Sequence, residues 1–510
     1  MNIFTKESVM SVYIILSVCM VLICLLDICR VIDLSRKWLR VFYFVFAPHL
    51  PLFWMLFYLS INHSVNHTGM ENTVGGNALT TVLFVICNVI FQLYTTLRLH
   101  FQGLRKKKTS NSRVNIIFAG RNLIHSGLIG LYLLPLWYLV CYLLLPYNPY
   151  SALVEANVSV KSGVAFLSFE VIYSMIFVWL FLINGCLRIF FGSRNLVIAK
   201  RLFIVLFMWV PFVQLYLAHI LCASAKDEYL VAVSRENDTA FSVTDNLCQT
   251  KYPLIMVHGI GFRDLRHFNY WGRIPRLLQQ HGATVYYGHQ NAWGTIEDNA
   301  AAIKKVIDQA LIENHCDKVN IIAHSKGGLD CRYLISSLGY GDKVASLTTI
   351  NTPHRGSELI TILSHLPDGA YRFIANQLNK PFMLAGETEP DCYSSSKQLD
   401  PVFCEEFNKK NLDVPGVYYQ SYTSILHNLF SDSLLFIPYL LMCTQKGRQN
   451  DGLVDVSSAV WGNFRGVLKS RHNRGISHGD MIDLKREDIK GFDVLKLFYD
   501  MVCELKSRGY

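Results

Sequence analysis

Two hydrophobic patterns divide the chain. Before residue 223 the apolar residues come in long runs, at about 8–29, 41–61, 77–97, 122–146, 164–187 and 202–222, separated by short polar loops. Each run is long enough to cross a hydrocarbon core of ~30 Å as an α-helix. Trp54, Tyr58, Trp137 and Tyr147 stand near their ends, where aromatic side chains sit at a membrane interface. One such run fits a buried helix of a soluble core; six in succession predict an all-α six-helix transmembrane domain over 1–222. A polar stretch of mixed charge at 223–251 reads as a linker. From Tyr252 the texture changes. Short apolar runs at Pro253–Val257, Thr284–Tyr287, Val319–Ala323 and Val344–Ile350 alternate with helical spacing over Ile274–Gln280, Thr295–Asn314 and the stretch from Ser325 to Leu338. Strands alternating with helices predict an α/β domain over 252–510 built on a doubly wound, mostly parallel sheet. Residues 357–440 break the alternation; polar and holding Pro367, Pro381, Pro390 and Pro401, they read as an insertion that caps one face, with or without a moving part.

Charge adds an orientation. The formal net charge is +10, but residues 1–222 account for +11 and the remainder for −1, so the excess does not point to nucleic acid. Arg30, Arg36, Lys37 and Arg40 crowd loop 30–40. Arg98, Arg105, Lys106, Lys107, Lys108, Arg113 and Arg121 crowd loop 98–121, and Arg188, Arg194, Lys200 and Arg201 crowd loop 188–201. Loop 62–76 has no Lys or Arg and loop 147–163 only Lys161. Basic loops stay cytoplasmic, so six spans place the N-terminus and everything beyond about residue 223 outside the cytoplasm. A cleaved signal peptide in place of the first span fits poorly: its n-region has one Lys, no clear A-x-A site follows, and loop 30–40 would lie outside. The sequons at Asn62, Asn66, Asn157 and Asn237 all fall on expected outward segments. Of 14 cysteines, seven lie in or beside the membrane runs and seven beyond them, and no C-x-x-C spacing points to zinc.

The chemistry centres on I-I-A-H-S-K-G-G at 321–328. An apolar run ending in small-x-Ser-x-Gly, followed by a helix, mounts a serine nucleophile on a strand-to-helix turn so tight that Ala323 and Gly327 must be small. Alone, such a pattern is a Gly-rich turn. A serine hydroxyl needs a base, and the base needs a carboxylate to hold its tautomer; in this fold they follow in the order Ser, acid, His. The later histidines are His354, His365, His427, His472 and His478. The best acid is Asp451 in N-D-G-L-V at 450–454, although N-D-G by itself is a turn; Asp455 is the rival. Two N–H donors should face the developing oxyanion: Lys326, after the nucleophile, and Ile260 in V-H-G-I at 257–260. His258 reads as a structural histidine holding that loop.

These motifs keep their order from Tyr252 to Asp488: Y-P-L-I-M-V-H-G-I-G-F at 252–262, Y-W-x-x-I-P at 270–275, V-N-I-I-A-H-S-K-G-G at 319–328, T-P-H-R-G-S at 352–357, N-D-G-L-V at 450–454 and H-G-D at 478–480. Over this half the chain resembles the bacterial true lipases, the family I triacylglycerol lipases of the α/β-hydrolase superfamily. The resemblance implies Ser325 as nucleophile, Asp451 as acid, His478 as base, and Ile260 and Lys326 as oxyanion donors. It also implies a structural Ca²⁺ held by Asp432 and Asp480, with backbone carbonyls near Leu484 and Asp488; two carboxylates plus carbonyls suit a hard cation. Without the ion, Asp480 would cap a helix and Asp432 would be solvated. The chain departs from the family in its membrane half, in a shorter insertion, and in Lys326, where an uncharged residue or His is more usual. That cation either faces an anionic head group or product, or points into solvent, the plainer expectation.

The reading is a membrane-anchored lipase or esterase that cleaves lipid carboxylic esters through an acyl-serine, outside the cytoplasm. An acyltransferase would use the same acyl-serine and pass the acyl group to another alcohol. A lipid-binding sensor or transporter with a hydrolase-like domain is the alternative of another class. The membrane runs carry few charges, Glu170 among them, where a transporter more often shows several.

Overall fold

A computed structural model describes residues 6–29, 31–32, 47–49, 52, 74–101, 109–139, 159–196, 198–237, 246–261, 269–384, 390–428, 431–432, 434–443, 449–470 and 474–510. They form two compact units, Met1–Val233 and Ser234–Tyr510.

The first unit is helical: α1 (Lys6–Ile28), α2 (Val74–His100), α3 (Ser112–Leu139), α4 (Val160–Gly192), α5 (Ile198–Phe207) and α6 (Val213–Asn237), which runs on into the second unit. Three helices hold stretches long and apolar enough to cross a membrane: Val82–His100, Ser112–Leu136 and Val160–Gly192. The α3–α4 contact is set by glycine. A Cβ on Gly185 would fall 2.6 Å from the Gly120 carbonyl oxygen, and one on Gly120 2.9 Å from that of Gly185. Small residues bring helix backbones together where no hydrophobic effect drives association. Several charged groups within the helices are paired. Arg98 Nε lies 2.9 Å from Asp27 Oδ2, and Glu170 is bonded to His49 Nδ1 at 2.6 Å and the Tyr138 hydroxyl at 2.7 Å.

The six-span reading changes here. The run 41–61 lies outside the described residues except for 47–49 and Leu52. The run 202–222 is not one helix: α5 ends at Phe207, a turn follows, and α6 starts at Val213. Pro211, which cannot donate a helical hydrogen bond, stands in that turn, and Phe212 has φ 64°. The expected linker 223–251 is helical up to Asn237. Its Lys226, Asp227 and Glu228 continue a helix whose buried face includes Leu217, Leu221 and Ala225.

The second unit is an α/β-hydrolase fold. Its sheet has six parallel strands in the order β2-β1-β3-β4-β5-β6: β1 (Leu254–Val257), β2 (Val285–Tyr287), β3 (Val319–His324), β4 (Val344–Ile350), β5 (Tyr418–Ser424) and β6 (Asn463–Leu468). Central strands β1, β3 and β4 are buried at every residue, which is why they read as continuous apolar runs and not as alternation. Helices α7 (Ile274–Gln280) and α16 (Val494–Ser507) share one core with the sheet, and α8 (Ile296–Glu313) and α9 (Gly327–Ser336) another. Thr295 caps α8 by accepting from the Asp298 N–H, satisfying one of the orphan donors of its first turn. The strands and helices expected up to Ile350 are present. The insertion is redrawn. Between β4 and β5 come α10 (Glu358–Ser364), α11 (Asp368–Leu384), α12 (Cys392–Lys397) and α13 (Pro401–Lys410); α14 (Phe436–Cys443) follows β5, and α15 (Val456–Ala459) precedes β6. Strand β5, placed inside the insertion by its polar sequence Y-Y-Q-S-Y-T-S, is a buried member of the sheet.

Candidate active site

Ser325 stands between β3 and α9 with φ 54°, a left-handed conformation rare for a non-glycine residue. Such strain persists where the surroundings over-determine it. Here the Ser325 N–H donates to the Ile350 carbonyl at 2.9 Å, and two glycines leave no room for any other path. A Cβ on Gly327 would lie 2.4 Å from the His258 carbonyl oxygen, and one on Gly328 2.3 Å from Thr352 Oγ1. The register Val257↔Ala323 brings the end of β1 beside the serine, and a Cβ on Gly259 would lie 2.7 Å from Ser325 Cβ. Ile260 therefore follows a backbone pressed against the serine, and Lys326 opens α9, whose N-terminus favours negative charge.

Asp451 and His478 meet. Asp451 Oδ2 lies 2.6 Å from His478 Nδ1, and the His478 N–H donates to the Asp451 carbonyl at 2.9 Å. Asp451 Oδ1 accepts from the N–H groups of Leu453 and Val454 at 2.9 and 2.8 Å, so one carboxylate both makes the N-D-G turn and holds the histidine. Asp451 lies on no strand. It is pinned beside the end of β5, where the Leu426 N–H donates to the Asn450 carbonyl at 2.9 Å. Asp455, the rival acid, instead stands at the N-cap of α15. Of the other histidines, His354 is buried against Trp461, His365 bonds its own helix carbonyl at Thr361, and His472 lies outside the described residues. His258 is buried between the carbonyls of Gly259 and Gln290, 2.8 and 3.1 Å away. Burial lowers its pKa to about 4.

Two features of the site were not expected from the motifs that contain them. First, a line of hydrogen bonds joins its loops. The Gly259 N–H donates to the Tyr270 hydroxyl at 3.0 Å, that hydroxyl lies 2.6 Å from His324 Nδ1, and His324 Nε2 lies 3.1 Å from the His478 carbonyl. A carbonyl only accepts, so Nε2 carries the proton and Nδ1 accepts from Tyr270. Burial holds His324 neutral, its pKa well below the ordinary value. The neutral tautomer gives every contact in the line one donor and one acceptor. Second, Lys326 does not point into solvent. It is buried, with Nζ 2.7 Å from Asp330 Oδ1, and Asn299 donates to Asp330 Oδ2 at 3.0 Å. Burial raises Asp330 to about 6 although the lysine pulls it down. The i,i+4 spacing of Lys326 and Asp330 was the available signal.

The two carboxylates expected to hold calcium, Asp432 and Asp480, are each paired with a protein cation. Asp432 Oδ2 is paired with the Lys485 ammonium and Oδ1 accepts from the Leu434 N–H. Burial pushes Asp432 up, but Lys485 outweighs it and holds the carboxyl below the usual range. Asp480 Oδ1 lies 3.2 Å from Arg474 Nη2, and Oδ2 accepts from the Ser477 N–H at 2.9 Å. The Asp488 carboxylate pairs with Arg273 and Arg235, and the Leu484 N–H donates to the Gly479 carbonyl at 3.1 Å. Among the described residues, no group of three or more His, Cys, Asp or Glu could hold a metal ion. Two protein cations stand where a divalent ion would need open carboxylate oxygens.

Three outcomes follow for the purified chain. Asp330→Asn leaves the Lys326 ammonium buried without its carboxylate, and should destabilise by about 3–5 kcal/mol in denaturant melts. Tyr270→Phe strips a partner from Gly259 and His324, about 1–3 kcal/mol, and should lower turnover more than substrate affinity. A chelator should leave melting temperature and turnover unchanged, whereas Lys485→Met should lower the melting temperature; a calcium-dependent melt of the unaltered chain would refute the fit argument.

Similarity places this geometry. The palmitoyl protein thioesterase family model matches residues 253–429. Triacylglycerol lipase 2 of Saccharomyces cerevisiae is 30% identical over 277 residues, 49% of this chain and 77% of the yeast protein. A triacylglycerol lipase of Pseudarthrobacter phenanthrenivorans is 38% identical over 119 residues, 22% of this chain and 37% of that one. Thus the chain matches most of the yeast relative but little over a third of the bacterial one. Among solved structures, mature lipase BlEst2 of Bacillus licheniformis covers 50% of this chain and 92% of its own, with TM-score 0.39 and 19% identity. Through its C-terminal unit the chain belongs to the triacylglycerol lipase family, carboxylic ester hydrolases of the α/β-hydrolase fold.

Proposed function

We propose that the chain is a membrane-anchored serine hydrolase that cleaves fatty-acyl esters of lipids through an acyl-Ser325 intermediate. The observations that carry this are the Asp451–His478 pair, 2.6 Å long, and a serine held on a left-handed strand-to-helix turn, whose preceding residue His324 packs its ring 4.4 Å from that of His478. Asp451 accepts a hydrogen bond from the Nδ1–H of His478 and so leaves Nε2 as the base. His478 Nε2 takes the Ser325 hydroxyl proton as Oγ attacks the ester carbonyl carbon. The oxygen gains the negative charge and accepts from the N–H groups of Ile260 and Lys326 at the start of α9. Collapse breaks the C–O bond to the alcohol, which leaves with the proton from His478. Water then attacks the acyl carbon as His478 takes its proton; collapse breaks the C–Oγ bond, His478 returns that proton to Ser325 Oγ, and the fatty acid departs. Throughout, Asp451 stabilises the imidazolium without taking its proton.

The three apolar helices of the first unit would keep the enzyme at the bilayer, where water-insoluble esters reside. The names of the relative and of the matching family, triacylglycerol lipase and palmitoyl protein thioesterase, agree on an acyl group and differ on its leaving group. The acyl-serine chemistry is common to both.

The full chain, purified in detergent, should hydrolyse long-chain acylglycerols, with palmitoyl thioesters as the comparison series. Ser325→Ala and His478→Ala should each lower turnover at least ~10³-fold, because members of such a set act as a unit. Asp451→Asn should lower it on the order of 10⁴-fold, the scale of losing the tautomer lock. A fluorophosphonate should label Ser325. Activity that survives Ser325→Ala removes the reading.

A further inference from the structure

The chain after the membrane helices was expected outside the cytoplasm because 202–222 was counted as a complete crossing. The flank of that run carries no orienting charge of its own. Lys226, Arg235 and Lys251 in 223–251 are matched by Asp227, Glu228, Glu236, Asp238 and Asp245. The side therefore depends on what 202–222 does.

We infer that α5 and α6 form a re-entrant hairpin, and that the hydrolase unit emerges on the side of the basic loops, which is the cytoplasmic side. The inference rests on the membrane reading above. Helix α5 has 10 residues, or about 15 Å at 1.5 Å per residue, half of a ~30 Å core. The chain then turns at Met208–Phe212. This turn is apolar and open: Trp209 is 78% and Phe212 88% exposed. Such a tip suits acyl chains and would be out of place in water. Helix α6 returns along the same helices, and Leu217, Leu221 and Ala225 share a core with Ile204 of α5, Ile117 and Ile124 of α3, and Leu182 and Ile189 of α4.

Glu228 marks where the return ends. It is fully buried and takes the Ser193 hydroxyl at 2.5 Å and the Asn195 N–H at 3.0 Å on Oε1, and Arg113 Nη1 at 2.5 Å on Oε2. Arg113 also donates to the Gly192 carbonyl at 2.7 Å. The next residue, Tyr229, stacks on Phe118 with ring centroids 3.9 Å apart. Ser193 and Asn195 lie between the end of α4 and the start of α5, and Arg113 lies in the first turn of α3. The hairpin leaves and re-enters at one level, and that level belongs to loops 98–121 and 188–201, whose Lys and Arg fix it as cytoplasmic. A single crossing from Asn195 would carry residue 228 to the opposite ends of α3 and α4, beyond reach of Arg113 and Ser193.

The second unit adds an independent observation. Cys316, Cys331, Cys392 and Cys404 all carry free thiols. Thiols persist in compartments that keep them reduced, and secreted domains tend to pair them. On this placement the enzyme draws lipid esters from the cytoplasmic leaflet, or from apolar lipid bodies on that side. Its supply is then the class of reactions that acylate alcohols there.

The test uses the full chain in sealed endoplasmic-reticulum microsomes, cytoplasmic face outward. One epitope is placed after Tyr510, in loop 105–108, or between Tyr147 and Pro149, in three separate versions. Added protease should remove the Tyr510 and 105–108 epitopes and spare the one at 147–149 until detergent is added. A Tyr510 epitope that shares the fate of the 147–149 epitope overturns the hairpin, and protection of both the Tyr510 and 105–108 epitopes overturns the cytoplasmic side. Alkaline carbonate extraction of the same vesicles keeps the two readings apart. Release of the chain would sink the membrane anchor itself, whereas the hydrolase chemistry is judged by Ser325→Ala and is untouched by either result.

Discussion

The left-handed backbone at Ser325 is the constraint on which the hydrolase unit is built. A non-glycine residue at φ 54° is tolerated only where neighbours leave no alternative. Those neighbours come from the two flanking strands and from the helix that follows. Ile350 of β4 accepts the serine N–H, Gly259 after β1 presses on its side chain, and Gly327 and Gly328 allow α9 to start against His258 and Thr352. The strand order places β1 and β4 on either side of β3. Any connection that moved one of them would remove a wall of the turn. The line from Gly259 through Tyr270 and His324 to His478 then ties the other loops to the same point. A fold that holds one residue in a costly conformation has thereby fixed the groups that must act with it.

Much of this was legible in the sequence because the residues concerned have no freedom. Small residues around Ser325, the order of the motifs, and runs such as V-N-I-I-A-H encode contacts that tolerate one solution. Asp451 was legible through its turn, and the turn and the carboxylate function proved to be one set of hydrogen bonds. Strand β5 was not legible. Y-Y-Q-S-Y-T-S has no apolar run, and several of its buried polar groups find distant partners, such as Gln420 on Thr348 and Ser421 on the Trp461 carbonyl. Periodicity reports solvent against core, and a strand whose core face is polar and paired falls outside that signal. The Lys326 ammonium was misplaced for the same reason: a charge reads as exposed until its partner, Asp330, is seen one turn away.

The hairpin fails to show in hydropathy for a related reason. Composition records that residues 202–222 prefer lipid to water; it does not record how deep they go. Depth is set by where the chain can turn and by what receives the returning end. Pro211 and the positive φ of Phe212 supply the turn. Glu228 supplies the return, because a buried carboxylate must find donors and finds them at Arg113, Ser193 and Asn195.

Charge pairing also separates this hydrolase unit from the calcium site its motifs call to mind. A divalent ion and a pair of protein cations can solve the same electrostatic problem, two buried carboxylates close to the loop of His478. Lys485 and Arg474 supply two positive charges against Asp432 and Asp480, with Glu487 also on Arg474 at 2.6 Å. The ion would bind by mass action and leave when its concentration falls; the side chains are held at fixed effective concentration by the fold. On the cytoplasmic placement inferred above, that difference would have a purpose. Free calcium is scarce and variable there, and a loop that carries the base would otherwise order and disorder with it. Cations built into the chain keep the His478 loop in place independently of the ion, and this matches the side of the membrane to which Glu228 returns the chain.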